Sequence, residues 1–182
     1  MRTIYIALGS NLSPRLSYLR NGILGLIQNG VKIQALSSVY HSSPVGDENQ
    51  PFFLNAVAKG GTNFSPDDLL QVLLQIERVN GRIRRVRWGE RTLDLDLLLY
   101  DNLCMQSSDL ILPHPRIMER KFVLIPLIEI APNLRSPEGI LYQKALDSLN
   151  SKQESTFRQL NVIGAAGFKK TARIQGLIDC RY

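Results

Sequence analysis

The sequence predicts an α+β fold, a ferredoxin-like βαββαβ sandwich with appended elements. Three observations lead there. Hydrophobic periodicity switches between the strand and helix repeats in the order strand, helix, strand, strand, helix, strand. The two helical stretches are long enough to cover one face of a sheet. The chain has 182 residues, a length that suits one domain with a sizeable core.

Each element follows from local chemistry. RTIYIAL (2–8) reads as a strand, broken by Gly9-Ser10-Asn11. Ser13 and Pro14 supply an N-cap and first-turn signal, Leu16, Leu19, Ile23 and Leu26 follow at helical spacing, and Gly30 ends the helix. KIQALSSVYHS (32–42) is expected to be extended, SPVGDENQP (43–51) is loop, and FFLNAVAKG (52–60) is extended again. Ser65-Pro66-Asp67-Asp68 opens a second helix whose Leu69, Val72, Leu73 and Ile76 form one apolar stripe, with a stop near Asn80-Gly81. A basic loop then leads to the strand around Asp94 and Asp96. LILPHP is a short run, FVLIPLIEIAP suits either strand or helix, and YQKALDSLN (142–150) suits a helix. NSKQEST (150–156) reads as a linker, giving a domain over 1–150 and a basic extension over 151–182.

Composition excludes more than it identifies. Hydrophobic content of 44% and charged content of 21% are those of a soluble globular domain rather than a disordered or fibrous chain. Cys104 and Cys180 lie far apart without a C-x-x-C pair, which argues against a zinc site or a disulfide framework and fits a reducing cytoplasm. MRTIYIALGSN carries an apolar run too brief for a signal peptide, and no stretch reaches membrane-spanning length. A cytoplasmic protein without membrane contact is expected. The formal net charge of +6 is uneven: residues 151–182 hold six Lys and Arg against two Asp and Glu. The basic character belongs mostly to the extension, so it is weak evidence for nucleic-acid binding by the core.

The chemistry concentrates in RWGERTLDLDLLLYD (87–101). In a strand Leu93, Leu95, Leu97 and Leu99 share one face, while Thr92, Asp94, Asp96 and Leu98 share the other. The two carboxylates then lie about 6.6 Å apart, two residues of strand rise, and repel unless a cation sits between them. Mg²⁺ prefers such hard oxygen ligands. From the D-x-D pattern alone, a solvated edge strand is the better reading. The preceding loop shifts the balance, because Arg82, Arg84, Arg85, Arg87 and Arg91 are fork donors suited to phosphate oxygens, with Trp88 among them. An acidic pair directly after a phosphate-seeking loop suits a Mg²⁺-polyphosphate site. Phe53 and Asn55 project together from one strand and offer a stacking face and an amide edge to a planar ring. In PHPRIMERKF (113–122), His114 is flanked by prolines, and Arg116, Arg120 and Phe122 follow. Gly9-Ser10-Asn11 matches a phosphate-binding turn only loosely, since the full P-loop spacing is absent.

Taken together, YIALGSNLSPR (5–15), QPFFLNAV (50–57), RWGERTLDLDLLLYD and LPHPRIMERKFVLIPLIEIAP (112–132) resemble the 6-hydroxymethyl-7,8-dihydropterin pyrophosphokinases of folate biosynthesis. The resemblance runs in unbroken order over roughly residues 1–150. It implies transfer of the β,γ-pyrophosphoryl group of ATP to the pterin hydroxymethyl, giving AMP and the pterin diphosphate, with two Mg²⁺ ions. It also implies roles: Asp94 and Asp96 as metal ligands, Phe53 and Phe122 as the aromatics about the pterin, and Asn55 and Ser42 as its polar contacts. Arg82, Arg91, His114 and Arg120 fall on the ATP side with Glu77 as a further contact, and Trp88 falls in a loop that closes over the substrates. Arg82 and Arg91 join the aspartates as catalytic residues, with Asp96 as proton acceptor. Glu90 departs from the family's usual Pro and adds a negative charge near the metals, and Ser42 replaces Thr while keeping the hydroxyl. The extension is too short for a second enzyme domain, so one activity and a monomer are expected. Two other functions compete. A metal-dependent nucleotidyltransferase would release pyrophosphate, and an RNA-binding module would use exposed aromatics on a ferredoxin-like sheet. Against the latter, no K/R-G-F/Y-G-F-V-type run is present, and two strand carboxylates would repel a phosphate backbone.

Overall fold

The computed structural model describes residues 1–44, 50–82, 90–150 and 157–160. Its elements are β1 (Arg2–Ser10), α1 (Arg15–Gln28), β2 (Lys32–Leu36), β3 (Val39–Ser42), β4 (Phe53–Thr62), α2 (Pro66–Val79) and β5 (Asp94–Tyr100). Then come the small hairpin β6 (Met105–Gln106) and β7 (Ile111–Leu112), α3 (Lys121–Ile130), α4 (Tyr142–Asn150) and β8 (Phe157–Leu160). The main sheet is antiparallel with order β5-β1-β4-β3-β8, and β2 also pairs with β4. With β2 and β3 counted as one interrupted strand, the first seven elements are the expected βαββαβ unit.

That interruption corrects the expectation of one strand over 32–42. The backbone N–H of Ser37 donates to the Val57 carbonyl at 2.9 Å, and its hydroxyl accepts the Val57 N–H at 2.9 Å. At Ser38 the backbone N–H and the hydroxyl both donate to the Glu129 carboxylate of α3, each at 2.8 Å. Side-chain bonding to backbone thus replaces the ladder for two residues. A second correction concerns α1. Ser13 does not cap it; Pro14 occupies the cap position and its carbonyl accepts the N–H groups of Ser17 and Tyr18. At α2 the expected cap forms, with Ser65 Oγ accepting the Asp68 N–H at 3.2 Å and donating to the Asp68 carboxylate at 2.6 Å. FVLIPLIEIAP resolves into helix, since Val123, Leu124 and Leu127 recur at helical spacing on the buried side of α3. The strand β1 runs through Gly9 and Ser10, so the turn after it begins later than the sequence suggested.

Helices cover both faces of the sheet. On the first, α1 and α2 pack Leu19, Leu26, Leu69 and Leu73 against Ile4, Ile6, Leu8, Leu93, Leu95 and Leu97. On the second, α3 and α4 pack Val123, Leu124, Leu127 and Leu146 against Tyr5, Val57, Leu98 and Leu99. Leu99 therefore does not share the face of Leu93, Leu95 and Leu97. The cause is a bulge: Tyr5 pairs with Leu99 and Ile6 with Leu97, leaving Leu98 as the extra residue. Tyr100 then returns to the first face. The extra residue lets β5 feed both cores while Asp94 and Asp96 keep their common side. Beyond the helical part, β8 lies antiparallel to β3 with Ser42 opposite Phe157, and residues 151–156 of the expected linker lie outside the described residues.

Candidate active site

Chain direction gathers the site at one end of the sheet. The C-terminal ends of β1 and β3 and the N-terminal ends of β4 and β5 lie together there, since all these pairings are antiparallel. Cross-strand partners share a face. Gly9 of β1 pairs with Asn55 on one side and Asp94 on the other, and Ala7 pairs with Val57 and Asp96. Two rows thus run across the second face, Asn55–Gly9–Asp94 and Val57–Ala7–Asp96. Ser42 pairs with Phe53 and Tyr40 with Asn55, which extends the rows to β3.

At the acidic end each Asp94 oxygen meets a different guanidinium. Arg82 donates to Oδ1 and Arg91 to Oδ2. The same Arg82 nitrogen donates to Glu77, whose Oε1 also accepts the Leu95 N–H at 2.8 Å. Glu77 is buried, with 2% exposure. It anchors Arg82 and ties α2 to β5 from beneath. Asp96 is more open, with 36% of its side chain exposed, and Arg120 reaches its Oδ2 at 3.5 Å. Partial burial and the neighbouring Asp94 charge push the Asp96 carboxyl up to about 6, against the pull of Arg120, Arg82 and Arg91. His114 Nε2 stands 3.9 Å from Asp96 Oδ2. Burial and the Arg120 charge lower His114 to about 4, so at neutral pH the pair is imidazole beside carboxylate rather than an ion pair. The residue is fixed from behind: the His114 backbone N–H donates to the Leu98 carbonyl at 2.9 Å, and the ring Nδ1 accepts the Arg116 backbone N–H at 3.1 Å.

At the other end Asn55 is buried and its Nδ2 donates to Ser42 Oγ at 2.8 Å. Phe53 is half-buried beside it. Phe122, in the first turn of α3, lies against the second-face core, with the Arg120 guanidinium 5.7 Å from its ring centroid. Arg120 thus stands between Phe122 and Asp96. Of the residues expected at the site, Asp94 with Arg82, Arg91 and Glu77, and Asp96 with Arg120 and His114, form two adjoining sets on one strand face. Ser42, Phe53 and Asn55 form a separate group. Trp88, with Arg84, Arg85 and Arg87, lies outside the described residues. Glu90 is exposed.

One residue of consequence went unread in the sequence. Asn11 is buried to 1% exposure, its Oδ1 accepts the Arg91 N–H at 2.6 Å, and its own N–H donates to the Arg91 carbonyl at 3.1 Å. Its Nδ2 donates to Gln50 Oε1 at 3.2 Å. It therefore fixes the backbone from which Arg91 reaches Asp94. The signal was a short polar residue directly after a strand, which the turn reading absorbed.

The donor set suits magnesium. Two carboxylates on one face, with no group of three or more His, Cys, Asp or Glu side chains placed to hold a metal ion among the described residues, match an ion that completes its shell with water and substrate phosphates. The raised carboxyl of Asp96 fits as well, because an added cation would relieve the repulsion from Asp94.

Comparison with known proteins agrees in sequence and in shape. The profile of the 7,8-dihydro-6-hydroxymethylpterin-pyrophosphokinase family matches residues 5–132. The 2-amino-4-hydroxy-6-hydroxymethyldihydropteridine pyrophosphokinase of Haemophilus influenzae is 46% identical over 140 residues, covering 76% of this chain and 88% of that protein. The protein of the same name from Aquifex aeolicus is 39% identical over 158 residues, 87% of this chain and 95% of its own. Among solved structures, wild-type HPPK-DHPS of Plasmodium falciparum superposes with a TM-score of 0.65 at 12% identity, covering 83% of this chain and 45% of that one. The chain thus spans less than half of that longer protein, and the likeness is one of fold.

Proposed function

The chain belongs to the 7,8-dihydro-6-hydroxymethylpterin-pyrophosphokinase family, and from that premise we propose which residues carry its transfer of pyrophosphate from ATP to 6-hydroxymethyl-7,8-dihydropterin. The observation that carries the assignment is the pair of cross-strand rows, which aligns an amide group, a small-residue floor and two carboxylates on one face.

Asn55, Ser42, Phe53 and Phe122 hold the pterin. A buried amide that already bonds Ser42 keeps further donor and acceptor capacity for the polar edge of a planar ring, and the two phenylalanines supply apolar faces. Arg82, Arg91, Arg120 and neutral His114 receive the triphosphate. In this structure Arg82 and Arg91 neutralise Asp94; a polyphosphate arriving with its cations gives the guanidiniums and the carboxylate new partners of opposite charge. Glu77 acts through Arg82 as a positioning residue, and Trp88 is assigned to the ATP side on the resemblance alone.

Two Mg²⁺ ions are proposed as cofactors, held by Asp94 and Asp96 with the phosphates, and when bound they supply charge neutralisation and acidify a coordinated hydroxyl. The acceptor oxygen forms its bond to the β-phosphorus as the bond from that phosphorus to the α,β-bridging oxygen breaks, so AMP leaves with the bridging oxygen. Asp96, the more open of the two carboxylates, takes the hydroxyl proton. The chain's own contribution is position and charge, which dominate phosphoryl-group transfer.

Incubation with ATP, Mg²⁺ and the hydroxymethyl pterin, followed by ³¹P NMR, tests the reading. AMP and a pterin diphosphate in equal amounts are expected. Free pyrophosphate released with formation of a nucleotidyl adduct would overturn it in favour of nucleotidyl transfer.

A further inference from the structure

The two ends of the site are separated by the width of one strand, and what lies between them is Gly9. It pairs with Asn55 and with Asp94 at once. Central strands of a sheet covered by helices on both sides ordinarily bury bulky residues on both faces. On the second face β1 instead carries Tyr5, Ala7 and Gly9, falling in size toward the end that bears Asp94 and Asn55. Tyr5 is buried, whereas Ala7 and Gly9 are partly exposed although their strand is central.

The fold does not require glycine at this position. A Cβ built there would meet Asn55 Oδ1 and Asp94 Cβ, each at 3.6 Å, ordinary contact distances. The backbone is not in the positive-φ region, which is taken by Gly30, Gly81 and Gly139. Other glycines in regular elements are different. At Gly25 a Cβ would come within 2.9 Å of Ile76, and at Gly60 within 3.0 Å of the Lys32 carbonyl. Those positions are filled by packing; at Gly9, which is partly exposed, a Cβ would make only ordinary contacts, with Asn55 and Asp94.

We propose that Gly9 sets the clearance of the site: its missing side chain leaves the room across which the acceptor pterin, held by its polar edge at Asn55, extends its hydroxymethyl to the phosphate chain at Asp94. The inference rests on the assignment of those two ends given above. A methyl at this point stands between the reacting groups in ordinary contact with Asn55 Oδ1 and Asp94 Cβ, and displaces neither. It is therefore expected to separate binding from reaction. Misplacing reacting atoms by about an ångström costs roughly a hundredfold in rate while leaving binding largely intact.

The test compares Gly9→Ala with the wild-type enzyme. Thermal unfolding, equilibrium binding of Mg-ATP alone and of the pterin alone, and steady-state turnover are measured on both. The expected result is an unchanged fold, little change in either dissociation constant, and a kcat lower by roughly a hundredfold. Near-normal kcat in Gly9→Ala would overturn the clearance role while leaving the assignment of the reaction intact. Loss of the fold would also overturn it, because the 3.6 Å clearances require the fold to accept a methyl. A parallel loss of binding and turnover would overturn it too, making Gly9 part of a binding surface. Absence of pterin diphosphate from the wild-type reaction would instead bring down the functional reading on which the proposal stands.

Discussion

The two faces of β1 and β5 are made from the same two strands and do opposite work. On the first face Ile4, Ile6 and Leu8 meet Leu93, Leu95 and Leu97, every one of them almost fully buried beneath α1 and α2. On the second, the same strands present Tyr5, Ala7 and Gly9 beside Asp94 and Asp96, and only the Tyr5 end lies under α3 and α4. A strand cannot change its side-chain alternation, so it must segregate duties by face. The first face supplies the burial that holds the sheet rigid. The second tapers in size and gains charge toward one end, and so leaves a polar opening on that rigid support. Asp96, pushed up to about 6 by burial and the Asp94 charge, costs stability where it stands, and the leucines on the opposite face offset that cost.

The comparison breaks most visibly through the acids. Asp94→Asn removes the group that both Arg82 and Arg91 meet, and turnover is expected to fall by roughly 10²- to 10³-fold or more, with the fold retained. Steady-state assay of AMP formation alongside circular dichroism checks both halves of that statement. Behind it, Leu8→Ala opens a cavity in the first-face core and is expected to cost about 2–5 kcal/mol of stability. Urea unfolding would record that loss, while kcat for the molecules that remain folded stays near normal. If the leucine variant lost kcat as severely as the aspartate variant, the division of labour between faces would not hold.

A smaller effect sharpens the contrast. In the fold the Asp96 carboxyl sits at about 6, above its ordinary value, so the folded chain binds this proton more tightly than the unfolded chain. Stability therefore declines as pH rises from about 4 through 6, and the loss is complete above that window. Asp96→Asn escapes it. Without metal or nucleotide the variant is expected to be more stable than wild type at pH 7, by no more than about 1 kcal/mol once the partial exposure of the side chain is allowed for. The gap should close as pH falls toward 4. Thermal melts across that range would show it, and a variant that gains stability while losing turnover marks Asp96 as placed for chemistry rather than for folding.

What the sequence could reveal follows the same division. Periodicity gave the βαββαβ order and both helices of the first face, because those signals are local. The acidic pair and its arginines were legible for the same reason: they sit within a few residues of each other, and their chemistry narrows their partners. Contacts set by distant chain were not legible. Nothing near Ser37 and Ser38 announces that Glu129, some ninety residues on, will break the strand between them. The bulge at Leu98 hides in a run of leucines, where a slip of one register changes the face without changing the composition. Glu77 was expected on the ATP side from the resemblance alone; its buried position appears only when Leu95 and Arg82 close around it. Asn11 was overlooked because its partners, Gln50 and Arg91, lie in two separate segments.

The nucleotide and its cations are proposed to meet the acceptor at one end of the second sheet face. Paramagnetic relaxation by Mn²⁺ substituted for Mg²⁺, read on the backbone amides in the presence of ATP, tests it most directly. Broadening is expected to centre on Asp94 to Asp96 and on Ala7 to Gly9, and to be abolished by Asp94→Asn. Broadening centred on the basic residues after Asn150, or unaltered in the aspartate variant, would contradict it.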